Sequence, residues 1–180
     1  RQISGKEIAF YEGDIRDKEF LGKVFESENI DAVIHFAALK SVAESVAKPL
    51  LYYSNNLGSL IALCEVMQEK EIPNLIFSSS ATVYGKPESL PLTEESPVGQ
   101  NITNPYGQTK YMAEKILSDL AQSPDSDWNI VLLRYFNPIG AHESGLIGED
   151  PKQIPANIMP FISQVAVGKL KELKVFGNDY

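Results

Sequence analysis

Four short apolar runs, separated by longer segments of mixed polarity, set the pattern of this chain. The runs are Ile8–Tyr11, Ala32–Ala37, Leu75–Ser78 and Ile130–Tyr135. They lack the strict alternation of apolar and polar residues that marks a strand with one face in water. Continuous apolar runs of this length are typical of strands buried on both faces of a parallel sheet. The pattern therefore predicts four buried strands.

Segments with helical spacing of apolar residues lie between and after these runs. Asn104 is a suitable N-cap with Pro105 at the first helical position, and Gly168 is placed to close the last segment. Strands that alternate with helices indicate right-handed βαβ crossovers, and therefore an α/β fold with a doubly wound, Rossmann-like parallel sheet. The predicted helices are Asp17–Ser27, Pro49–Lys70, Asn104–Gln122 and Pro155–Val167.

The start of the chain departs from the usual nucleotide-binding pattern. Such a sheet normally begins with a strand, a glycine-rich turn and a helix that holds a pyrophosphate. Here the first run is followed by Glu12-Gly13-Asp14-Ile15, and no G-x-G-x-x-G motif appears. We expect the chain to lack the N-terminal glycine-rich βαβ unit. Residues 1–140 are then a partial dinucleotide-binding domain, and residues 141–180 begin a smaller substrate-binding region.

Charge and composition exclude several classes of function. The 180 residues carry 16 Lys and Arg against 24 Asp and Glu, a net charge of −8, which argues against nucleic-acid partners. No apolar run reaches the ~18 residues of a membrane span, and the N-terminus does not resemble a signal peptide. The single cysteine, Cys64, fits a small buried apolar residue, and no metal-ligand spacing occurs. We expect a cytoplasmic protein without a metal or membrane association.

The strongest candidate for chemistry is the pair Tyr106 and Lys110. Residues four apart share one face of a helix, so the ammonium of Lys110 can lie near the phenol. A positive charge about 4 Å away is worth roughly 4 kcal/mol, or about three pKa units, at an effective dielectric of about 20. This would bring the phenol close to neutrality, where a general base works best. On an arbitrary helix the same pair would be an ordinary solvated surface pair.

Hydroxyl groups at the end of the third run change that interpretation. Ser78, Ser79 and Ser80 follow directly on Leu75-Ile76-Phe77. Ligands of parallel α/β sheets bind beyond the carboxyl ends of the strands, where a serine can hydrogen-bond an oxygen that the tyrosine deprotonates. The alternative is that these serines only cap a turn. Because Tyr106 and Lys110 follow in the sequence, we favour the catalytic interpretation of these serines.

At this point the sequence resembles a known family. Ser80 with Tyr106-x-x-x-Lys110 is similar to the triad of the extended short-chain dehydrogenase/reductases, and the surroundings resemble the UDP-glucose 4-epimerase family within them. The resemblance covers the chain from Ile8 onward. The matching segments include Gly13–Arg16, Val33–Ala37, Phe77–Gly85, Asn104–Gly107, Leu133–His142, Gly148–Pro151 and Val175–Tyr180.

The resemblance implies a role for each of several residues. The catalytic group is Ser80, Tyr106 and Lys110. The residues implied to bind NAD are Asp14, Ile15, Phe36, Ala37, Ala38, Leu39, Lys40, Asn55, Ser78, Tyr106, Lys110 and Phe136. The residues implied to bind the sugar nucleotide are Ser80, Thr82, Tyr106, Asn137, Asn157, Ile158, Lys174, Val175 and Phe176. The alternative for Asp14 is a turn-forming residue.

The implied activity is the interconversion of UDP-glucose and UDP-galactose by removal and return of a hydride at C4 of the hexose. Related dehydratases carry an acid pair directly after the strand-end hydroxyl, where this chain has Ala81 and Thr82. Two alternative interpretations stay open: an epimerase that acts on another nucleotide sugar, and an inactive nucleotide-binding fragment. The resemblance implies a homodimer formed through Pro49–Lys70 and Pro105–Gln122, and we expect the 180 residues alone to be inactive. We expect His35 to be a core residue rather than a catalyst.

Overall fold

The chain forms two compact units, which divide after Tyr135. The computed structural model describes residues 3–148, 157–175 and 177. The sequence predicted a domain boundary after residue 140, and that boundary remains a prediction. The helices are α1 (Lys18–Ser27), α2 (Val42–Ala47), α3 (Pro49–Glu69), α4 (Pro105–Ala121) and α5 (Ile158–Ala166), and the strands are β1 (Val33–His35), β2 (Asn74–Ser80) and β3 (Asn129–Tyr135).

The first unit is built on a parallel sheet with the order β1-β2-β3. His35 pairs with Phe77, and Ser80 pairs with Tyr135, so all strands run towards one carboxyl edge. Helices α2 and α3 connect β1 to β2, and α4 connects β2 to β3, which is the predicted βαβ connectivity. The α/β class and the parallel sheet are therefore confirmed.

The core of this unit lies between the sheet and helices α3 and α4. Leu75 and Phe77 of β2 pack against α3 and α4. Cys64 belongs to this core, and burial raises the pKa of its thiol to about 12, so it is the apolar residue that the sequence predicted. The buried members of the cluster are Leu21, Leu60, Leu63, Cys64, Val66, Met67, Leu75, Phe77, Ala113 and Leu117.

The prediction that the strands are buried on both faces is wrong for this unit. Ile34 is 57% exposed and Val131 is 49% exposed, and buried residues alternate with less buried ones along β2. The reason is that the core of residues 3–135 forms on one face of the sheet. An apolar run records the composition of a strand, whereas burial requires a packing partner on each face.

The predicted strand Ile8–Tyr11 is also not a strand in the structure. Ile8 is 83% exposed and Phe10 is 84% exposed. A strand is stable only when its backbone groups pair with a neighbour, and within the described residues none pairs with this segment. The hydroxyl of Tyr11 donates to the carboxylate of Glu28 at 2.5 Å, next to the end of α1.

Local signals placed the helix ends well. Asp17 caps α1 by accepting from the backbone N–H of Phe20 at 3.0 Å, and Asn104 caps α4 in the same way. Sequence reasoning missed the short helix α2, which Ser41 caps. In the second unit α5 begins at Ile158, and the predicted start at Pro155 lies outside the described residues. The amide of Gly168 donates to Val165 O at 3.0 Å after α5, as predicted for its closure.

Candidate active site

The carboxyl end of β2 passes directly into a short 3-10 turn, Ala81–Tyr84. Ser80 Oγ caps this turn by accepting from the backbone N–H of Thr82 at 3.3 Å. Gly85 ends the turn with φ of +60°, and a Cβ atom there would lie 1.9 Å from Gln100 O. Only glycine fits that position. The capping role of Ser80 is therefore real, and it fixes the hydroxyl at the edge of the sheet.

Helix α4 begins where it can approach this turn closely. Asn104 Oδ1 accepts from Gly107 N at 2.8 Å, and Pro105 takes the first helical position. A Cβ atom on Gly107 would lie 2.7 Å from Ile102 Cγ2 and 3.3 Å from Thr82 Cβ. The absence of a side chain at Gly107 lets the helix start lie against the 3-10 turn. This contact brings the first turn of α4 to the end of β2.

Ser80 lies near enough to Tyr106 to affect the pKa of its phenol, so two of the three predicted catalytic side chains come close together. Burial raises the pKa of the Tyr106 phenol above its ordinary value of 10, and the hydroxyl of Ser80 opposes that shift. The prediction that Lys110 lowers the pKa of Tyr106 is therefore wrong for this structure. Removal of the phenol from water disfavours its anion more than the described contacts favour it.

Lys110 lies beside the same strand end, and its ammonium bonds a backbone carbonyl of the strand. Its Nζ donates to Ser78 O at 2.5 Å and lies 4.8 Å from the centroid of the Phe77 ring. The residue is only 5% exposed, and burial lowers the pKa of its ammonium to about 8. The ammonium is hydrogen-bonded to the strand backbone, and burial, rather than the charge of Lys110, sets the direction of the pKa shift at the phenol.

His35 occupies the neighbouring strand end and is a core residue, as predicted. It is 5% exposed, and its ring centroid lies 5.7 Å from that of Phe77. Burial, and then the charge of Lys110, lower the pKa of His35 to about 4. The imidazole is therefore neutral at pH 7, and its protonation would place a second positive charge near Lys110.

The loop after β1 contains the residues predicted to line the cofactor, Phe36–Lys40. Asn56 holds this loop, since its Oδ1 accepts from Leu39 N at 2.9 Å and its Nδ2 donates to Leu39 O at 3.0 Å. Its Nδ2 also donates to Thr109 Oγ1 at 3.2 Å, which links the loop to α4. Asn55 donates to Asn56 Oδ1 at 3.1 Å, and its predicted contact with the cofactor stays a prediction. Sequence reasoning did not identify Asn56. The available signal was that position 56 shares a helix face with the buried residues Tyr52 and Leu60.

Asp14 and Ile15 adopt local roles in the structure. Asp14 Oδ1 accepts from Arg16 N at 2.9 Å, which is the turn that the sequence offered as its alternative. Its carboxylate also pairs with the Arg16 guanidinium, and this contact lowers the pKa of Asp14 to about 2. Ile15 packs against the core. Their contact with adenine stays a prediction.

Thr82 carries a hydroxyl that has no protein partner within the described part of the chain. Its Oγ1 is buried, and the backbone N–H of the same residue is already bonded to Ser80. A buried hydroxyl without a partner is costly, so such groups are often found where a ligand binds. This observation favours the predicted place of Thr82 beside a ligand.

The other predicted site residues lie in the second unit. Phe136 is 63% exposed, and Asn137 is exposed as well. Asn157 is the N-cap residue of α5 but makes no side-chain capping bond, and Ile158 begins that helix. Lys174 and Val175 lie in an exposed segment without regular structure. Phe176 lies outside the described residues. All of these roles remain predictions.

Two further classes of site receive no support from the described residues. Residues 3–148, 157–175 and 177 contain no group of three or more His, Cys, Asp and Glu side chains that could hold a metal ion. No helix in the same ranges is long and apolar enough to cross a bilayer.

A serine, a tyrosine and a lysine at the carboxyl end of a strand in a parallel α/β sheet define the class as the short-chain dehydrogenase/reductase type. The chain belongs to the NAD dependent epimerase/dehydratase family, which it matches over residues 1–179. It is 58% identical over 180 residues to a UDP-glucose 4-epimerase of Bacillus subtilis (strain 168) and covers 52% of that protein.

Similarity extends to other relatives and to solved structures. A UDP-glucose 4-epimerase of Caenorhabditis elegans is 56% identical over 99% of this chain, which covers 51% of that protein. The fold matches a crystal structure of UDP-glucose 4-epimerase from Bifidobacterium longum in complex with NAD+ and UDP. The TM-score is 0.94 at 58% identity, over 99% of this chain and 53% of the other. The chain therefore spans about half the length of the curated relatives it matches.

Proposed function

We propose that the complete protein carrying this sequence interconverts UDP-glucose and UDP-galactose, with NAD as a recycled cofactor. The observation that carries the proposal is the proximity of Ser80 and Tyr106 at the end of β2, with Lys110 bonded to Ser78 O on the same strand end. A hydroxyl, a phenol and an ammonium are the groups needed to hold a sugar alcohol and move its proton. The similarity to UDP-glucose 4-epimerases over the whole chain supports the same activity.

In this proposal Tyr106 takes the proton of the hexose 4-hydroxyl, and Ser80 hydrogen-bonds the same oxygen. NAD, when bound, accepts and returns the hydride of C4 and brings a positive charge. The phenol of Tyr106 holds its proton at neutral pH in the structure, because burial raises its pKa. We infer that ligand binding lowers this pKa. For inversion at C4 the nucleotide must be held firmly while the 4-keto hexose turns over.

The donors present fit a dinucleotide at this edge. The buried ammonium of Lys110 carries three hydrogens, of which one is directed to Ser78 O, so it can also donate to a ligand oxygen. Asn56 pairs with both backbone groups of Leu39 and so fixes the wall of the predicted cofactor site. We propose that Lys110 and the Phe36–Lys40 loop contact NAD, and that Thr82 contacts the sugar nucleotide.

Ala81 and Thr82 support epimerisation over elimination of water. These residues begin the 3-10 turn directly after Ser80, at the place where the dehydratases carry their acid pair. A methyl group and an alcohol cannot protonate a leaving hydroxyl as a carboxylic acid does. The direct assay is conversion of UDP-galactose by the complete protein, with UDP-N-acetylhexoses tested in parallel to define the sugar.

The role of the base is tested by Tyr106→Phe in the complete protein. We expect turnover to fall by about 100- to 10,000-fold, the range for loss of a general base, with NAD binding nearly unchanged. Tyr111→Phe is the matched control, because it removes a phenol hydroxyl from the same helix away from Ser80. Retained epimerase activity in Tyr106→Phe would rule out this assignment.

Expectations about assembly and location belong to the same proposal. We propose that the complete protein is a cytoplasmic homodimer in galactose metabolism, formed through α3 and α4. Exposed apolar side chains on these helices support a contact: Ile61 is 44% exposed and Met112 is 41% exposed. Sedimentation of the complete protein and of Ile61→Glu checks this point. The 180 residues alone are expected to bind NAD poorly and to show no turnover.

A further inference from the structure

A buried ion pair lies one helical turn beyond Lys110 and takes no part in the chemistry proposed above. Glu114 of α4 accepts from Arg134 of β3 at two points, Nε at 3.0 Å and Nη2 at 2.8 Å. The two side chains are 6% and 20% exposed. The carboxylate raises the pKa of Arg134 above its ordinary value, so the guanidinium keeps its charge. A two-point contact of this kind fixes direction as well as distance.

Glu114 is also tied to the strand that carries the active-site serines. Ser79, which is 2% exposed, donates its hydroxyl to Glu114 Oε1 at 2.5 Å. Ser79 lies between Ser78, whose carbonyl accepts from Lys110, and Ser80, which lies near Tyr106. Lys110 and Glu114, one helical turn apart on α4, are therefore each hydrogen-bonded to one of two successive residues of β2, and Tyr106 lies one turn before them.

Arg134 extends the same network to the turn that Ser80 caps. Its Nη1 donates to Tyr84 Oη at 3.0 Å and to Glu94 O at 3.3 Å. Its guanidinium carbon also lies 5.0 Å from the centroid of the Tyr84 ring. Tyr84 is the last residue of the 3-10 turn. One guanidinium thus joins β3, the 3-10 turn, the following loop and, through Glu114, helix α4.

A buried ion pair is weak evidence for stability, since apolar residues of similar size often stabilise a protein as well or better. Its defined geometry is what apolar packing cannot supply. On this basis, and resting on the proposed function, we propose that Glu114 and Arg134 are positioning residues. Arg134 holds the carboxylate of Glu114, and the bond between Glu114 and Ser79 sets the position of Tyr106 and Lys110 on α4 relative to Ser80 at the end of β2.

The test compares Glu114→Gln with Asp119→Asn in the complete protein. Asp119 forms an exposed pair with Lys115 on the same helix, at 2.9 Å, and is the matched control. For Glu114→Gln we expect kcat per NAD-loaded site to fall about 10- to 100-fold, as for a small misplacement of reacting groups. The KM for UDP-galactose and the Kd for UDP stay within about threefold. The control changes none of these quantities.

A second readout needs no substrate. The pKa of Tyr106 is followed by tyrosinate absorbance in each protein against its own Tyr106→Phe version. We expect the midpoint to move in Glu114→Gln and to stay in place in Asp119→Asn. If Glu114→Gln does not fold, Arg134→Lys carries the same measurements, because it keeps the charge and loses the two-point contact.

Either of two results overturns the positioning role. One is kcat per loaded site within twofold of the wild type in a folded variant, with only the Tm lowered. The other is an unmoved Tyr106 midpoint. A wild-type protein that does not convert UDP-galactose overturns the proposed function instead, and the Tyr106 midpoint then decides the positioning role by itself.

Discussion

The two ends of β2 pack against α4 in opposite ways. Near its start, Leu75 is 1% exposed and belongs to the same apolar cluster as Leu117, which is fully buried. At its carboxyl end the buried side chains are charged or polar, among them Lys110, Glu114 and Ser79. The comparison shows that α4 and β2 share two kinds of contact. The apolar part stabilises the fold, whereas the stability of the fold does not require the polar part.

The polar end carries costs that the apolar end lacks. Lys110 is charged while nearly removed from water, and Thr82 Oγ1 is buried without a partner among the described residues. Each feature disfavours the folded state, since desolvation of a charge or hydroxyl is unfavourable unless fully compensated. A function that requires these groups explains their retention. If so, substitutions at the two ends should affect stability and activity separately.

The largest effect on stability is expected at the apolar end. Leu117→Ala removes a fully buried side chain and leaves a cavity, so the free energy of unfolding should fall by about 2–5 kcal/mol. Chemical denaturation of the complete protein measures this change. The kcat per NAD-loaded site should be unaltered, and a large fall in kcat would show that the two ends are not separable.

At the polar end, Lys110→Met should raise the free energy of unfolding rather than lower it. The shift of the Lys110 pKa from 10.5 to about 8 corresponds to roughly 3 kcal/mol of desolvation cost. Loss of the bond from the charged ammonium to Ser78 O offsets about 2 kcal/mol of this, so we expect a net gain in stability of about 1 kcal/mol at pH 7. Turnover should be lost. A destabilised Lys110→Met would contradict the view of Lys110 as a costly buried charge.

The same residue makes stability depend on pH. Because the folded-state pKa of Lys110 lies below its ordinary value, the unfolded chain binds more protons between pH about 8 and 10.5. The contribution of Lys110 to the free energy of unfolding therefore rises with pH across that window. Denaturation at several pH values should show this rise in the wild type relative to Lys110→Met, and parallel pH curves would argue against it.

A smaller effect is expected from Thr82→Val. This change keeps the shape and removes the unpartnered hydroxyl, so stability should rise by about 1 kcal/mol. The KM for UDP-galactose should also rise, because Thr82 is proposed to contact the sugar nucleotide. Thr109→Val is the control: its hydroxyl donates to Tyr106 O at 2.7 Å, so the same substitution should destabilise there. Equal changes in stability for Thr82→Val and Thr109→Val would refute the view that the Thr82 hydroxyl lacks a partner within the described residues and the Thr109 hydroxyl has one.

The smallest effect is expected on the solvent side of the same helix. Asp119→Asn breaks an exposed ion pair with Lys115, and exposed pairs contribute little to stability. The Tm and kcat should both match the wild type. A clear loss of either would mean that the outer face of α4 matters to the site.

Much of the local structure, and the closeness of Ser80 to Tyr106, could be predicted from the sequence. Apolar spacing located α1, and a cap with a following proline located the start of α4, because these signals act within one or two helical turns. The spacing of Tyr106 and Lys110 placed both on one face, and the apolar run before Ser78 placed the serines at a strand end. Each inference depended on residues close together in the chain.

What the sequence by itself determined, then, was the α/β alternation, the start of α4 and the placing of serines at the end of a strand. Only the tertiary structure decided that the core of residues 3–135 forms on one face of the sheet, that Asn56 holds the loop after β1 and that Glu114 meets Arg134. It also reversed the expected direction of the Tyr106 pKa shift, since burial removes the phenol from water. The physical reason is that propensity and capping are local, whereas burial and charge pairing depend on what distant segments bring to the same place.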